Sequence, residues 1–227
     1  FGFTKTGVGI LKLSSSNTYK GATVINEGMI LLSNAQGLGS TDGRVTINSL
    51  GELHLVDVNV VGKALTLNGG VLSSADAGEA GGSGESVWGG NITLSADSAF
   101  KADGTLTING FISGNAGFEV WGASILVLNQ ANTYTGTTRI NDATILKLGN
   151  AAALGTGDVI VELDNTLDLN GQTVTGNGRL TLSGVGSTGT NGALVNTSST
   201  PASFAGIVSL ANDTLIVGDA GKIALTN

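Results

Sequence analysis

The residue best suited to acid–base chemistry in this sequence is its single histidine, His54, within the segment Glu52-Leu53-His54-Leu55. Together with Asp57 it could supply two members of a Ser-His-Asp arrangement, in which the imidazole takes a proton from a serine. No nucleophile-elbow motif accompanies it. The alternation of the segment turns Leu53 and Leu55 inward and His54 outward. We therefore expect His54 at the surface and predict no catalytic residue.

The densest acidic cluster is Asp76-Ala77-Gly78-Glu79, in a glycine-rich segment. Paired carboxylates that face each other across a groove are what glycoside hydrolysis requires. No basic residue lies near this cluster in the sequence, and its composition is typical of a solvated loop. We keep Asp76 and Glu79 as possible ligand contacts and not as catalytic groups.

The run Gly81–Ser86 has the glycine content of an ion-binding or phosphate-binding loop. A calcium-binding nonapeptide needs aspartate and tandem repetition, and both are missing. A phosphate loop needs a lysine and a following helix, which are also missing. The chain contains no cysteine, which excludes thiolate metal sites and disulfides. We expect neither a metal nor a cofactor.

These side chains are positioned by a long internal repeat. The segment 17–26, NTYKGATVIN, returns as 132–141, NTYTGTTRIN, with seven of ten positions identical and an offset of 115 residues (132 − 17). The same offset relates Gly2-Phe3 to Gly117-Phe118 and Leu65–Leu67 to Leu180–Leu182. Internal repetition at a fixed period indicates a repeat architecture. The sequence predicts two units, residues 1–115 and 116–227, in one continuous solenoid.

Within each unit the apolar residues alternate in short pairs such as Leu65/Leu67 and Ile92/Leu94, which predicts short strands with one buried face. Glycine, at 37 residues, and asparagine separate these pairs, while hydrophobic residues make up 41% of the chain, so turns alternate with a real core. Few aromatic residues argue against the propeller or sandwich alternatives. We predict an all-β, right-handed parallel β-helix of about ten coils of about 23 residues each.

The two tryptophans differ in their relation to the repeat. Trp88 ends the longest stretch between predicted strands, Ser73–Gly90, and long loops often carry binding residues. Its counterpart is Phe204, which favours two rings that fold back over the core. Trp121 corresponds to Thr6, so it is the better candidate for an exposed contact. Both tryptophans are kept as possible ligand contacts.

The run Asn-Thr-Tyr-x-Gly-x-Thr-x-Ile-Asn, followed in the second unit by Ala153-Leu154-Gly155 and Leu167–Gly171, resembles the passenger-associated repeat of bacterial autotransporters. The resemblance extends over essentially the whole chain. It implies a right-handed β-helical stalk of a type V secreted passenger, a class in which many members serve adhesion, autoaggregation or biofilm formation. The second unit departs from the pattern at Asp142-Ala143, where a glycine turn is usual.

The formal net charge of −7, with ten basic residues spread along the chain, argues against partners that are nucleic acid or anionic lipid. No apolar run is long enough for a transmembrane helix. We expect a segment of a longer protein at the bacterial cell surface, anchored to the outer membrane through a part outside this chain. The expected partners are a host-cell surface, a glycan or like molecules. A polysaccharide-active enzyme and a passive spacer remain as alternatives to this non-enzymatic adhesive stalk.

Overall fold

A computed structural model describes residues 1–75, 78, 83–176, 178–188 and 191–226. Every regular element in these ranges is a β-strand. No helix in the described ranges is long and apolar enough to cross a membrane. The strands are β1 (Phe3–Lys5), β2 (Ile10–Leu13), β3 (Thr23–Leu32), β4 (Val45–Leu55), β5 (Asn59–Val60), β6 (Leu65–Asn68), β7 (Val71–Ser74), β8 (Glu85–Trp88), β9 (Ile92–Ala96), β10 (Ser98–Ala102), β11 (Thr105–Ile108), β12 (Ile112–Gly114), β13 (Phe118–Trp121), β14 (Ile125–Leu128), β15 (Thr138–Ile140), β16 (Ile145–Leu148), β17 (Val159–Val161), β18 (Thr166–Asp168), β19 (Thr173–Val174), β20 (Leu180–Gly184), β21 (Leu194–Val195), β22 (Ala202–Ala205), β23 (Val208–Thr214), β24 (Ile216–Val217) and β25 (Ile223–Thr226).

The strands pair in parallel with strands one turn away and form sheets of 14, 8 and 3 strands. The long strands β3 and β4 pass round a corner, so that β4 pairs with β6 through its first half and with β7 through its second half. Parallel pairing between successive turns is the pattern of a solenoid. The structure confirms the predicted all-β parallel solenoid of about ten turns.

Most turns contain 20 to 22 residues, fewer than the predicted coil length of about 23. The registers Phe3↔Thr23 and Thr23↔Val45 correspond to steps of 20 (23 − 3) and 22 (45 − 23) residues. Two turns are longer: Leu65↔Ile92 takes 27 (92 − 65) and Leu180↔Val208 takes 28 (208 − 180). These are the turns that contain the predicted long excursions, and the strands that open them are repeat counterparts.

The 115-residue unit is not a whole number of turns. Five turns lead from Phe3 to Ile112, which is 109 residues (112 − 3). Phe118, the counterpart of Phe3, lies six residues further on (118 − 112), in β13, which pairs with β10 and not with β12. Each unit therefore takes five turns and one more strand position, so repeat counterparts lie on adjacent faces of the solenoid.

The core is built from the inward residues of every strand. Leu53 and Leu55 are completely buried, as the alternation predicted, and burial of a side chain of this size contributes about 1.5–3 kcal/mol. In the first turn Leu11 and Leu13 are only partly buried, although their partners in the next turn, Ile30 and Leu32, are fully buried. Each turn is thus completed by its neighbours on both sides.

Candidate functional site

The asparagine that opens the repeated motif bonds the backbone of neighbouring turns. Asn132 is buried, its Nδ2 donates to the carbonyl of Ala153 at 2.6 Å, and its Oδ1 accepts the N–H of Ile112 at 2.7 Å. Asn17 donates in the same way to the carbonyl of Gly37 at 2.8 Å. These bonds connect successive turns through one side chain, which is the structural role predicted for this pair.

The motif tyrosines also have a structural role. The hydroxyl oxygens of Tyr134 and Thr138 are 2.7 Å apart, and those of Tyr19 and Thr23 are 2.6 Å apart. Burial raises the pKa of Tyr134, and the hydrogen bond to Thr138 offsets this only in part. Burial likewise raises the pKa of Tyr19. Both phenols therefore stay neutral and serve as hydrogen-bonding groups within the stack.

The motif glycines allow close approach between turns. A Cβ on Gly21 would overlap the backbone nitrogen of Gly2, and a Cβ on Gly136 would overlap that of Gly117. Only glycine fits where two chain segments meet at this distance. The fifth position of the motif is accordingly fixed by packing.

The last motif asparagine has different partners in the two units. Asn48 Nδ2 donates to Asn26 Oδ1 at 2.7 Å, and Asn68 Nδ2 donates to Asn48 Oδ1 at 2.8 Å, which forms a ladder over three turns. Asn141, the counterpart of Asn26, instead donates to Glu119 Oε2 at 3.3 Å. The second unit thus places an amide beside a surface carboxylate.

The prediction that His54 is exposed is wrong. Only 6% of His54 is accessible, and its Nδ1 lies 2.8 Å from the Oγ of Ser73. That hydroxyl also donates to Glu52 Oε1 at 2.6 Å. The alternation gives the correct direction for His54, but an outward side chain is not necessarily exposed. Its counterpart Asp168 is likewise buried, with Thr197 donating to it from the second long turn at 2.6 Å.

Asp57 does not complete a triad with His54. Its Oδ1 accepts hydrogen bonds from the N–H groups of Ser83 and Gly84, both at 2.9 Å, and from the Ser83 hydroxyl. Burial would raise the pKa of Asp57, but these bonds and one from Glu85 outweigh that effect and lower the pKa. Asp57 therefore anchors the end of the first long turn to the preceding corner.

The remaining predicted contacts of the first unit fall into two groups. Asp76 and Glu79 lie outside the described residues. Trp88 is fully buried, as is Phe204, so both rings belong to the core and the Trp88 ring is not available to a ligand at the surface. No group of three or more His, Asp or Glu side chains in the part of the chain that the structure describes is arranged to hold a metal ion.

Trp121, by contrast, is partly exposed at the end of β13. The Nζ of Lys101, one turn earlier, lies 5.5 Å from the centroid of its ring, within the range of a cation–π contact. Lys101 is also ion-paired with Asp103. The indole is thus supported from one side by a fixed lysine.

Trp121 borders two concave surfaces, of about 820 and 490 Å³, that also share Glu119. A third, of about 430 Å³, shares Val71 with the larger one. We call these three surfaces together the axial groove, because its floor is a single outward column of paired residues that runs along the stack. The column consists of Ile10, Met29, Glu52, Val71, Ala99, Glu119, Arg139 and Ile160.

Polar groups surround Trp121 in this groove. Arg139 is ion-paired with Glu162 and stands one turn after Glu119. Sequence reasoning identified Trp121 but missed these neighbours, because Glu119, Arg139 and Glu162 are about a turn apart in the chain. Spacing by 20 residues, once the turn length is known, is the signal that would have found them.

Strained backbone lies at one end of the groove. Asp142 and Ala143 have φ values of 54° and 58°, and Asp164, next to the lining residues Leu163 and Asn165, has a φ of 63°. Non-glycine residues in the left-handed region are uncommon and cost free energy. The predicted departure from a glycine turn at Asp142-Ala143 is therefore a strained corner beside the groove.

A parallel β-solenoid with turn-bridging asparagines, tyrosines and glycines in a 115-residue repeat defines a class of stacked repeat proteins. The passenger-associated-transport-repeat family matches residues 3–32 and 118–146, whose starts are one repeat apart. The chain is 32% identical over 179 residues to the adhesin BmaC autotransporter of Brucella suis biovar 1 (strain 1330). That alignment covers 70% of this chain and 5% of the relative. No solved structure gives a significant match.

These matches and the fold show an autotransporter passenger domain with passenger-associated repeats. The segment is accordingly a β-solenoid part of a secreted, surface-exposed passenger. It spans a small fraction of the length of the adhesin that it resembles.

Proposed function

We propose that this chain is a non-enzymatic stalk segment through which a bacterial surface protein adheres to host cells, to glycans or to copies of itself. The observation that carries the proposal is the uninterrupted parallel stack. The polar residues of the repeated motif, Asn132 and Tyr134, serve to hold its turns together. The similarity to an autotransporter adhesin supports the adhesive role.

A stalk must hold its shape while it projects from the cell. Turns stacked at the parallel-strand spacing of about 4.8 Å give a rod roughly 50 Å long for this segment. Its core is continuous from turn to turn, so bending one turn disturbs its neighbours. Anchorage to the outer membrane through another part of the protein completes the proposed arrangement.

The contacts of His54 support the absence of catalysis. In a triad the carboxylate orients the imidazole and the serine faces substrate. Here the hydroxyl of Ser73 lies between His54 and Glu52 and is itself completely buried. A panel of polysaccharides incubated with the purified chain should show no turnover. Turnover that disappears in an Asp76→Asn, Glu79→Gln double variant would establish the enzymatic alternative instead.

Adhesion is tested directly with beads coated with the purified chain. We expect saturable attachment to host cells or to immobilised glycans, or clustering of the beads themselves. Beads coated with the thermally unfolded chain are the matched control, because they present the same sequence without the stack. Attachment equal to that control under every condition would leave the passive spacer as the function of this segment.

A further inference from the structure

The residues around Trp121 are not required by the repeat. At the corresponding positions the first unit has Thr6 in place of Trp121 and Thr4 in place of Glu119. Both units nevertheless form the same parallel stack with the same tyrosine–threonine and asparagine bonds. The aromatic ring and the charge at this place therefore need an explanation other than folding.

The geometry around Trp121 is that of a binding surface. A partly exposed indole stands at the junction of two concave surfaces, where the small side chain of Ala99 lowers the floor. Ligand sites combine such apolar area with a few polar groups that fix orientation. Here Glu119 and Arg139 lie beside the ring on the floor, and Asn141 lines the adjoining surface.

The shape of the axial groove favours an extended ligand. Its floor passes through eight successive strand rows from Ile10 to Ile160, which at about 4.8 Å per row is roughly 35 Å. A compact ligand would fill one concave surface, whereas a linear polymer can lie along all of them. Trp121 then provides one stacking position along that path.

The charges of the groove exclude acidic ligands. Both of the cations near Trp121, Lys101 and Arg139, have a carboxylate partner, in Asp103 and Glu162 respectively. Glu119 adds a further negative charge, in a chain whose formal net charge is −7. A polyanion would meet repulsion without an available cation to offset it.

The strained corner supplies an independent indication. Asp142 and Ala143 both hold left-handed backbone at the edge of the groove, and Asp142 lines it. In the first unit the position of Ala143 is occupied by Gly28, which adopts a φ of 71° without strain. Strain of this kind is concentrated at ligand sites, where it fixes the position of side chains.

We propose that the axial groove at Trp121 binds a neutral, linear oligosaccharide. The indole stacks on the apolar C–H face of one sugar ring, while Glu119 and Asn141 accept and donate hydrogen bonds with its hydroxyl groups. This assignment rests on the proposed adhesive function and names the ligand class that the adhesion would recognise.

The test is calorimetric titration of the chain with linear hexasaccharides of glucose, mannose and galactose, and with a heparin hexasaccharide as the anionic comparison. We expect saturable binding of at least one neutral hexasaccharide. Trp121→Thr, which installs the residue of the first unit, should weaken it about tenfold or more. Trp121→Phe should restore part of the affinity. Phe111→Ala removes an exposed ring outside the groove and should leave binding unchanged.

Tryptophan fluorescence locates the ligand, because Trp88 is buried and Trp121 is not. Binding should change the emission of the wild type and leave that of Trp121→Thr unchanged. The proposal is overturned if Trp121→Thr binds as tightly as the wild type, if heparin binds more tightly than the neutral sugars, or if no neutral sugar binds. Beads that still adhere in any of these cases would retain the adhesive function and assign it to a different surface or to a protein partner.

Discussion

Phe118 packs edge-on against Phe100, with their ring centroids 4.9 Å apart and their planes at 84°. On its other side Phe118 meets Tyr134, at 5.3 Å between centroids. The counterpart of this second pair is Phe3 and Tyr19, which are 5.4 Å apart but only partly buried. The repeat thus presents one aromatic pair in two settings, with and without a complete neighbouring turn.

Phe118→Ala should lower the free energy of unfolding by about 3–5 kcal/mol, because it removes a ring from a filled core. Phe3→Ala, at the counterpart position, should cost much less, since Phe3 remains partly exposed. Urea unfolding, followed by circular dichroism and by amide hydrogen exchange of each turn, measures both. Equal losses in the two variants would contradict the view that neighbouring turns complete the core.

Tyr134→Phe should destabilise the stack by about 1 kcal/mol, because it leaves the fully buried hydroxyl of Thr138 without its partner. Thr138→Val alone should have a similar effect, and the double variant should recover part of the loss. Tyr19→Phe is the matched control and should cost less, since Tyr19 is only partly buried. Strict additivity in the Tyr134/Thr138 cycle would show that the two hydroxyls do not interact.

Ala143→Gly should raise stability by about 1 kcal/mol, because it relieves a left-handed alanine. The reciprocal change Gly28→Ala should lower stability, since a Cβ there would overlap the carbonyl oxygens of Gly7 and Gly9. Thermal unfolding of the two single variants provides the comparison. A loss of stability in Ala143→Gly would show that the corner is not strained.

Asp57 should make stability depend on acid pH. Its pKa is lowered in the folded chain, so its contribution is complete above the ordinary value of 3.8 and is lost as the pH falls through the lower folded value. Asp57→Asn, which tolerates the same left-handed backbone, should cost about 1 kcal/mol at neutral pH. At about pH 2 the variant and the wild type should melt alike. A constant difference between the two at both pH values would exclude this linkage.

The alternation of residues such as Leu53 and Leu55 predicts the core because strand periodicity is a local property. The same reasoning fails for His54, whose burial depends on Ser73 and Glu52 in and beside the neighbouring turn. The axial groove is harder still to predict. Trp121, Arg139 and Glu162 meet only because each turn takes about 20 residues, and the irregular length of the turns conceals that spacing in the sequence.

The extra strand position in each 115-residue unit makes the repeat a screw. A feature carried once per unit, such as the long turn, advances along the rod and also moves to the next face. With three strand positions per turn, a series of such units would bring the feature back to its first orientation after about three units. Long turns in such a series would point successively in every direction around the axis, so a rod approached from any side would present one of them.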